Sequence, residues 1–147
     1  MKYIFRAKLG KCTIHRNVKL FSPWKLQVGD GSNIQMDSFI DCRGGVIIGN
    51  NVDITLGIKI ISEYHDIQSS TYVTISSPVK IEDYCVIGSF AIILPGVTLR
   101  EGTVIGSGSV VTKSTDEYSL YCGSPAIFKK SRSRKLIYHP YYKRPFH

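Results

Sequence analysis

The chain has 147 residues, 43% of them hydrophobic, which is enough for one domain that buries its own core. Its first residues, MKYIFRAKLGKCTIHR, carry charges before any long apolar run, so we expect neither a signal peptide nor an integral membrane segment. The four cysteines form no CxxC or zinc-type pair, which favours a reducing, cytoplasmic compartment.

The net charge of +8 is concentrated near the C-terminus. Up to Glu117 the chain has 12 Lys and Arg against 11 Asp and Glu, whereas the rest has 7 basic and no acidic residues. Such a segment can bind phosphates, contact an anionic polymer or membrane surface, or simply be solvated. No nucleic-acid-binding module precedes it, so we expect no nucleic-acid partner. We expect several of its aromatic residues to cap the end of the fold: Tyr138, Tyr141, Tyr142 and Phe146.

The first patterned segment has an aliphatic residue at every sixth position. Small residues follow four positions later, and two residues are inserted at Gly44–Gly45 before the spacing resumes. Glycine supplies the backbone freedom that such an insertion needs. The aliphatic positions are Val28, Ile34 and Ile40 before the insertion, and Ile48, Ile54 and Ile60 after it.

Between Ile60 and Ile81 the spacing is lost, over the polar stretch ISEYHDIQSSTYVTISSPVK. A long interruption of a tight repeat is usually a functional loop, since a neutral one is easily deleted. It contains His65, the only histidine inside the repeating region. We therefore predict an active-site loop at about residues 62–80.

From Ile81 to Val111 the period of six is unbroken, with Cys85, Ala91, Val97, Thr103 and Ser109 at the small positions. A helix repeats near 3.6 residues and a simple strand at 2, so this period indicates a parallel β-helix wound as a three-sided prism. Three hexads close one coil, which predicts that Ile81 stacks on Leu99, Ile87 on Ile105 and Ile93 on Val111. An ordinary β-sandwich has no reason to hold this period over such a length.

Four segments in order resemble the hexapeptide-repeat O-acetyltransferases: VGDGSNIQMDSFIDCRGGVIIGNNVDI, EYHD, IGSFAIILPGVTLREGTVIGSGSVVTK and YCGSPAIFKK. The nearest are the maltose and galactoside enzymes and the sugar acetyltransferases of bacterial surface polysaccharides such as colanic acid. The resemblance covers about residues 26–130. It implies an all-β, left-handed parallel β-helix over residues 1–130, followed by a basic, aromatic-rich tail at 131–147.

The resemblance also implies an active site. His65 is the general base, and the backbone N–H of Ser89 donates to the oxyanion. Acetyl-CoA lies in a groove between neighbouring prisms of a homotrimer, and a sugar or glycan is the acceptor. The implied coenzyme contacts are Gly88, Ser89, Ser107, Thr112, Lys113 and Lys130, and the implied acceptor contacts are Asn33, Gln35 and Asp37. No metal is implied.

The chain departs from the maltose and galactoside enzymes because it has no counterpart of their N-terminal helical segment, which forms part of their sugar site. We therefore expect a nucleotide- or lipid-linked sugar, from surface polysaccharide assembly, rather than a free sugar. Another small acceptor (an antibiotic, serine or an amino sugar) and a non-catalytic structural or binding β-helix stay open as alternatives. A γ-class carbonic anhydrase is excluded, since it needs three metal-binding histidines.

Overall fold

A computed structural model describes residues 7–140, and they form a parallel β-solenoid built from very short strands. One short 3₁₀ turn lies at Pro23–Lys25. In chain order the strands are β1 Lys8–Leu9, β2 Thr13–Ile14, β3 Lys19–Phe21, β4 Leu26–Val28, β5 Asn33–Ile34, β6 Phe39–Asp41, β7 Val46–Ile48, β8 Asp53–Ile54, β9 Lys59–Ile60, β10 Glu63–His65, β11 Thr74–Ser76, β12 Val79–Ile81, β13 Val86–Ile87, β14 Ile92–Ile93, β15 Thr98–Leu99, β16 Val104–Ile105, β17 Val110–Val111, β18 Ser119–Gly123 and β19 Ala126–Ser131.

Three sheets form the faces of the solenoid. The first face has the order β1-β4-β7-β12-β15, and the third has the order β3-β6-β9-β14-β17. The second face joins β2, β5, β8, β13 and β16 and is extended by the antiparallel hairpin β18–β19. Each coil contributes one strand to each face. We call the turns after the first, second and third faces the first, second and third corners.

The predicted stacking is confirmed. Ile81 pairs with Leu99, Ile87 with Ile105 and Ile93 with Val111, each in a parallel ladder. These side chains are all at most 1% exposed, so one aliphatic residue per strand fills the axis. A two-residue strand turns only one side chain inward, and a strand with its corner takes six residues. The inward aliphatic residue therefore recurs at every sixth position.

The interruption at Gly44–Gly45 is also present, since Val28 pairs with Ile48 across it. Gly45 has a φ of +99°, a conformation that L side chains rarely adopt. A Cβ on Gly44 would lie 2.1 Å from the carbonyl oxygen of Ser62. Glycine at both positions lets the chain turn the third corner close to the next coil.

Several inward residues at the corners are small, such as Ser32, Cys85 and Ala91, and Ser32 is fully hydrogen-bonded there. Ser32 Oγ donates to the Gly49 carbonyl at 2.7 Å and accepts from the Val52 amide at 2.9 Å. Its side chain is therefore buried without an unsatisfied hydroxyl.

After the last coil, the C-terminal segment forms the β18–β19 hairpin and then an extended stretch. Tyr121 on β18 and Ala126 on β19 pack against the core. Residues 132–140, which we call the strap, return along the first corner. Arg132 Nη1 donates to the carbonyls of Tyr84 and Gly102 at 2.9 and 3.1 Å.

Tyr138 in the strap also donates, from its hydroxyl, to the Tyr84 carbonyl at 2.8 Å. Tyr138 thus packs at the first corner, on Tyr84 of an earlier coil, and not on the last coil. Tyr141, Tyr142 and Phe146 lie outside the described residues. Within residues 7–140 there is no helix of the length and apolar character needed to cross a bilayer.

Candidate active site

His65 stands on a hairpin that leaves the solenoid at the third corner. Strands β10 and β11 pair antiparallel, with His65 opposite Thr74. The imidazole is exposed, and its ring lies flat against the Tyr72 ring, with centroids 4.3 Å apart and planes 5° apart. The interruption in the repeat therefore presents one histidine outside the prism.

The hydrogen bonds of His65 define which ring nitrogen carries the proton. Nδ1 lies 2.9 Å from the Tyr72 carbonyl oxygen and 3.3 Å from Thr74 Oγ1. A carbonyl oxygen can only accept, so Nδ1–H donates and the neutral ring keeps Nε2 without a proton. Among residues 7–140, Nε2 has no hydrogen-bond partner. The ring is thus arranged as a proton acceptor that faces outward.

A polar cluster holds the base of this hairpin to the preceding coil. Arg43 Nε and Nη2 donate to the two oxygens of Asp41 at 2.9 and 2.8 Å, and Nη1 lies 3.0 Å from Glu63 Oε2. Ser76 Oγ donates to Glu63 Oε1 at 2.7 Å, which adds the second strand of the hairpin. The Arg43 guanidinium also lies 4.9 Å from the Phe21 ring centroid. Sequence reasoning missed this cluster.

The electrostatics of the cluster follow from burial and pairing. Asp41 is 2% exposed, and burial alone would raise the pKa of its carboxyl. The hydrogen bonds and charge of Arg43 outweigh burial and hold the Asp41 pKa below its usual value. The hydrogen bond to Asp41 likewise raises the pKa of Arg43. Both groups are therefore ionised, and the pair is a fixed anchor.

Ser89 lies at the second corner, between β13 and β14. Its neighbours use their amides in the ladder: Gly88 N–H donates to Ile105 at 2.8 Å and Phe90 N–H to Leu56 at 2.9 Å. Within the described part of the chain, Ser89 N–H donates to no backbone carbonyl. Its hydroxyl lies 3.2 Å from Thr55 Oγ1, whose own proton goes to the Ile87 carbonyl. The Ser89 N–H at this corner is therefore not used by the backbone ladder.

The coenzyme residues expected from the sequence fall on three separate parts of the prism. Gly88, Ser89 and Ser107 share the second corner in successive coils, and a Cβ on Gly88 would lie 2.5 Å from the Ser107 amide nitrogen. Thr112 and Lys113 follow β17 at the third corner and are exposed.

Lys130 lies apart from both corners, on β19 opposite Leu120. It lines a surface cavity of about 350 Å³ that Arg132 also lines. His65 leaves at the third corner, whereas Ser89 is at the second. One chain thus places the expected base and the expected oxyanion donor on different corners.

The three residues expected to contact the acceptor differ in how exposed their side chains are. Asn33 is 2% exposed, and its amide accepts from His15 Nε2 at 2.8 Å and donates to Asp53 Oδ1 at 2.9 Å. Asp37 is exposed and accepts from Asn17 Nδ2 at 3.0 Å, and Gln35 is half-buried. The sequence did not predict that the Asn33 side chain is buried and hydrogen-bonded inside the fold.

Two of the thiols are unsuited to nucleophilic chemistry. Burial raises the pKa of both Cys42 and Cys85 to about 12. Cys85 is 0% exposed at a corner, which is the packing position that the repeat indicated. Within residues 7–140 no group of three His, Cys, Asp or Glu side chains could hold a metal ion.

Known proteins resemble this chain in sequence and in fold. The family model described as bacterial transferase hexapeptide (six repeats) matches residues 71–113. The putative colanic acid biosynthesis acetyltransferase WcaF of Escherichia coli K12 is 32% identical over 130 residues, which cover 88% of this chain and 71% of the relative.

Two solved structures extend the comparison. The maltose O-acetyltransferase of Clostridium difficile 630 superposes with a TM-score of 0.80 at 28% identity, covering 88% of this chain and 71% of that one. A hexapeptide-repeat acetyltransferase from Vibrio cholerae, complexed with acetyl coenzyme A, gives a TM-score of 0.82 at 24% identity, covering 87% of this chain and 72% of that one. The second likeness is one of fold.

Proposed function

The chain belongs to the hexapeptide-repeat acetyltransferases, and from that membership we propose that it transfers the acetyl group of acetyl-CoA to a sugar hydroxyl in surface polysaccharide biosynthesis. The acetyl donor is suggested by the Vibrio cholerae structure with acetyl coenzyme A. The acceptor class and the pathway are suggested by the relative named for colanic acid biosynthesis and by the maltose enzyme.

The observation that carries the mechanism is the hydrogen-bonded tautomer of His65. With Nδ1–H donating to the Tyr72 carbonyl, Nε2 is the atom that accepts the proton of the acceptor hydroxyl. The hydroxyl oxygen forms a bond to the thioester carbonyl carbon. The resulting oxyanion accepts a hydrogen bond from Ser89 N–H, which has no backbone acceptor among the described residues. The C–S bond then breaks, and the imidazolium returns its proton to the sulfur of CoA.

The arrangement of the two corners favours a homotrimer. His65 of one prism and Ser89 of its neighbour would face one groove, since each chain carries them on different corners. In this assembly the coils wind left-handed, as the family resemblance implies. The pantetheine arm lies along Gly88, Ser89, Ser107 and Thr112.

The phosphates of the coenzyme are proposed to meet Lys113 and Lys130. Both side chains are exposed, and Arg132 adds a third positive charge to the cavity that Lys130 lines. The segment 131–147 is the basic tail of this domain. This assignment makes the charge excess near the C-terminus a coenzyme-binding feature.

The acceptor is proposed to contact Gln35 and Asp37, with Asn33 supporting them from inside the fold. We propose a nucleotide- or lipid-linked sugar as the acceptor at the active-site loop of residues 62–80, since the relative named for colanic acid biosynthesis suggests a polysaccharide precursor. Such an acceptor and acetyl-CoA place the reaction in the cytoplasm.

The test is an assay of CoA thiol release with purified protein, acetyl-CoA and a panel of nucleotide sugars, oligosaccharides, amino sugars, serine and aminoglycosides. We expect turnover with a sugar hydroxyl, and His65→Gln lowers kcat by about 10²–10⁴-fold. His139→Gln is the matched control, since His139 lies on the strap, where its Nδ1 is 2.7 Å from Asn51 Oδ1. Turnover with amino sugars or serine alone would contradict a sugar hydroxyl as the acceptor. No turnover with any acceptor would favour a non-catalytic binding β-helix.

A second assay tests the coenzyme contacts. Replacing Lys113 and Lys130 with alanine raises KM for acetyl-CoA at low ionic strength, and the difference shrinks with salt because surface charges are screened over about 8–10 Å. A fully active monomer in sedimentation experiments would contradict the shared active site.

A further inference from the structure

We propose that Tyr72 is a positioning residue that fixes both the tautomer and the orientation of the His65 ring. Tyr72 meets the imidazole twice, because its carbonyl oxygen accepts from Nδ1 at 2.9 Å and its ring stacks on the imidazole at 4.3 Å. The hydrogen bond sets which nitrogen is free, and the stack sets the plane in which that nitrogen points. This inference rests on the proposed role of His65 as base.

The backbone at Tyr72 is held in the conformation that makes both contacts. Tyr72 has a φ of +51°, which is uncommon for a residue with a side chain. Its amide donates to the Ser69 carbonyl at 3.0 Å, and the Asp66 amide donates to Val73 at 2.9 Å. These bonds close the tip of the hairpin. The Tyr72 carbonyl is thereby turned toward His65 rather than into the solvent.

The tyrosine ring has no evident use other than this contact. It is 59% exposed, so it contributes little to a core, and its hydroxyl has no hydrogen-bond partner among residues 7–140. Stacking of two aromatic rings adds stability beyond the area that they bury. This stacking favours one ring orientation on an otherwise exposed hairpin.

The same two contacts favour the protonated ring that forms during transfer. An imidazolium over an aromatic face gains a cation–π attraction, and its bond from Nδ1–H to the carbonyl becomes charge-assisted. Tyr72 therefore acts on the base before and after it takes the proton. Because Tyr72 is not among the proposed coenzyme contacts, we expect its effect on kcat and on the acceptor rather than on KM for acetyl-CoA.

The test combines the tautomer with the kinetics, in the full chain. With ¹⁵N-labelled histidine, long-range ¹H–¹⁵N spectra report the tautomer, and His65→Gln assigns the His65 signals. We expect the Nδ1–H form in the wild type and in Tyr72→Phe, which keeps the ring. Tyr72→Asn tolerates the left-handed backbone but lacks the ring. Without the stack the imidazole turns away from the residue 72 carbonyl, so we expect a mixture of tautomers. We also expect about a tenfold lower kcat, with KM for acetyl-CoA within about twofold.

Tyr64→Ala is the matched control, because Tyr64 lies on the same hairpin, opposite Ile75, and is similarly exposed. It should leave the tautomer and kcat unchanged. The inference is overturned if Tyr72→Asn keeps the wild-type tautomer and kcat, or if Tyr64→Ala has the same effect. If His65→Gln stays fully active, the proposed base is wrong, whereas the tautomer measurement still decides whether Tyr72 positions the ring.

Discussion

The stacked coils and the β10–β11 hairpin differ in what holds them. In the coils, Ile54 and Ile87 are 0% exposed and repeat one above another, so each is held by apolar contact with its neighbours. In the hairpin, Tyr64, Ile67 and Tyr72 are 47%, 80% and 59% exposed, and polar pairs hold the strands instead. Stability and the proposed chemistry therefore lie in different parts of this chain and can be changed separately.

The largest effect on stability is expected in the axis of the prism. Ile87→Ala removes buried methyl groups between Ile54 and Ile105, and such changes lower the free energy of unfolding by about 2–5 kcal/mol. Ile67→Ala in the hairpin should change it by less than about 0.5 kcal/mol. Guanidinium unfolding at one protein concentration measures both, and equal losses would contradict the division between the two regions.

A smaller effect is expected where the two regions are joined. Arg43→Met leaves the buried Asp41 without its guanidinium partner, which costs about 1–3 kcal/mol. Arg43→Lys keeps the charge but not the two-pronged geometry, and it should fall between the wild type and Arg43→Met. An unchanged unfolding midpoint in Arg43→Met would show that the cluster does not anchor the hairpin.

The pH dependence follows from the same pair. Because the Asp41 pKa is lowered in the folded state, its pairing contributes stability above the unfolded value of about 3.9 and loses it as the pH falls through the folded value. Unfolding measured from pH 6 downward should therefore show a loss that begins below about pH 5, and Asp41→Asn should lack that part of it.

The strap should contribute less than the axis. Arg132→Met removes the donors to the Tyr84 and Gly102 carbonyls and should lower the free energy of unfolding by about 1–2 kcal/mol. Lys135→Met, at an exposed strap position, is the control with no expected change. If a chain ending at Lys135 loses stability but keeps its KM for acetyl-CoA, the segment after Lys135 is structural and the charge of that segment plays no part in coenzyme binding.

The smallest change is one of reactivity. At pH 8 an alkylating reagent should leave Cys42 and Cys85 unmodified, because burial raises both pKa values to about 12. The half-buried Cys122 should react, Cys12 should react more slowly because burial and the Asp30 charge raise its pKa, and all four should react after unfolding. Cys85→Ser and Cys122→Ser should retain turnover, and loss of turnover in either would point to a thiol in the chemistry.

The fold was open to sequence reasoning because its core is local and periodic. One aliphatic residue in six fills one strand, and the stacking partner of Ile87 follows from counting three hexads to Ile105. The two-residue insertion at Gly44–Gly45 was visible because it moves the next aliphatic residue from the sixth to the eighth position. Such patterns need no knowledge of distant contacts.

The sequence by itself also determined that the repeat is interrupted and that the interruption carries His65. Tertiary structure decided the rest. The hairpin is anchored by Arg43 from the preceding coil, and Asn33 is engaged by His15 and Asp53 from the coils on either side. The strap binds carbonyls of Tyr84 and Gly102 that are far from it in sequence. Polar contacts of this kind depend on which coils are adjacent and where a carbonyl is exposed, and no period in the sequence records either.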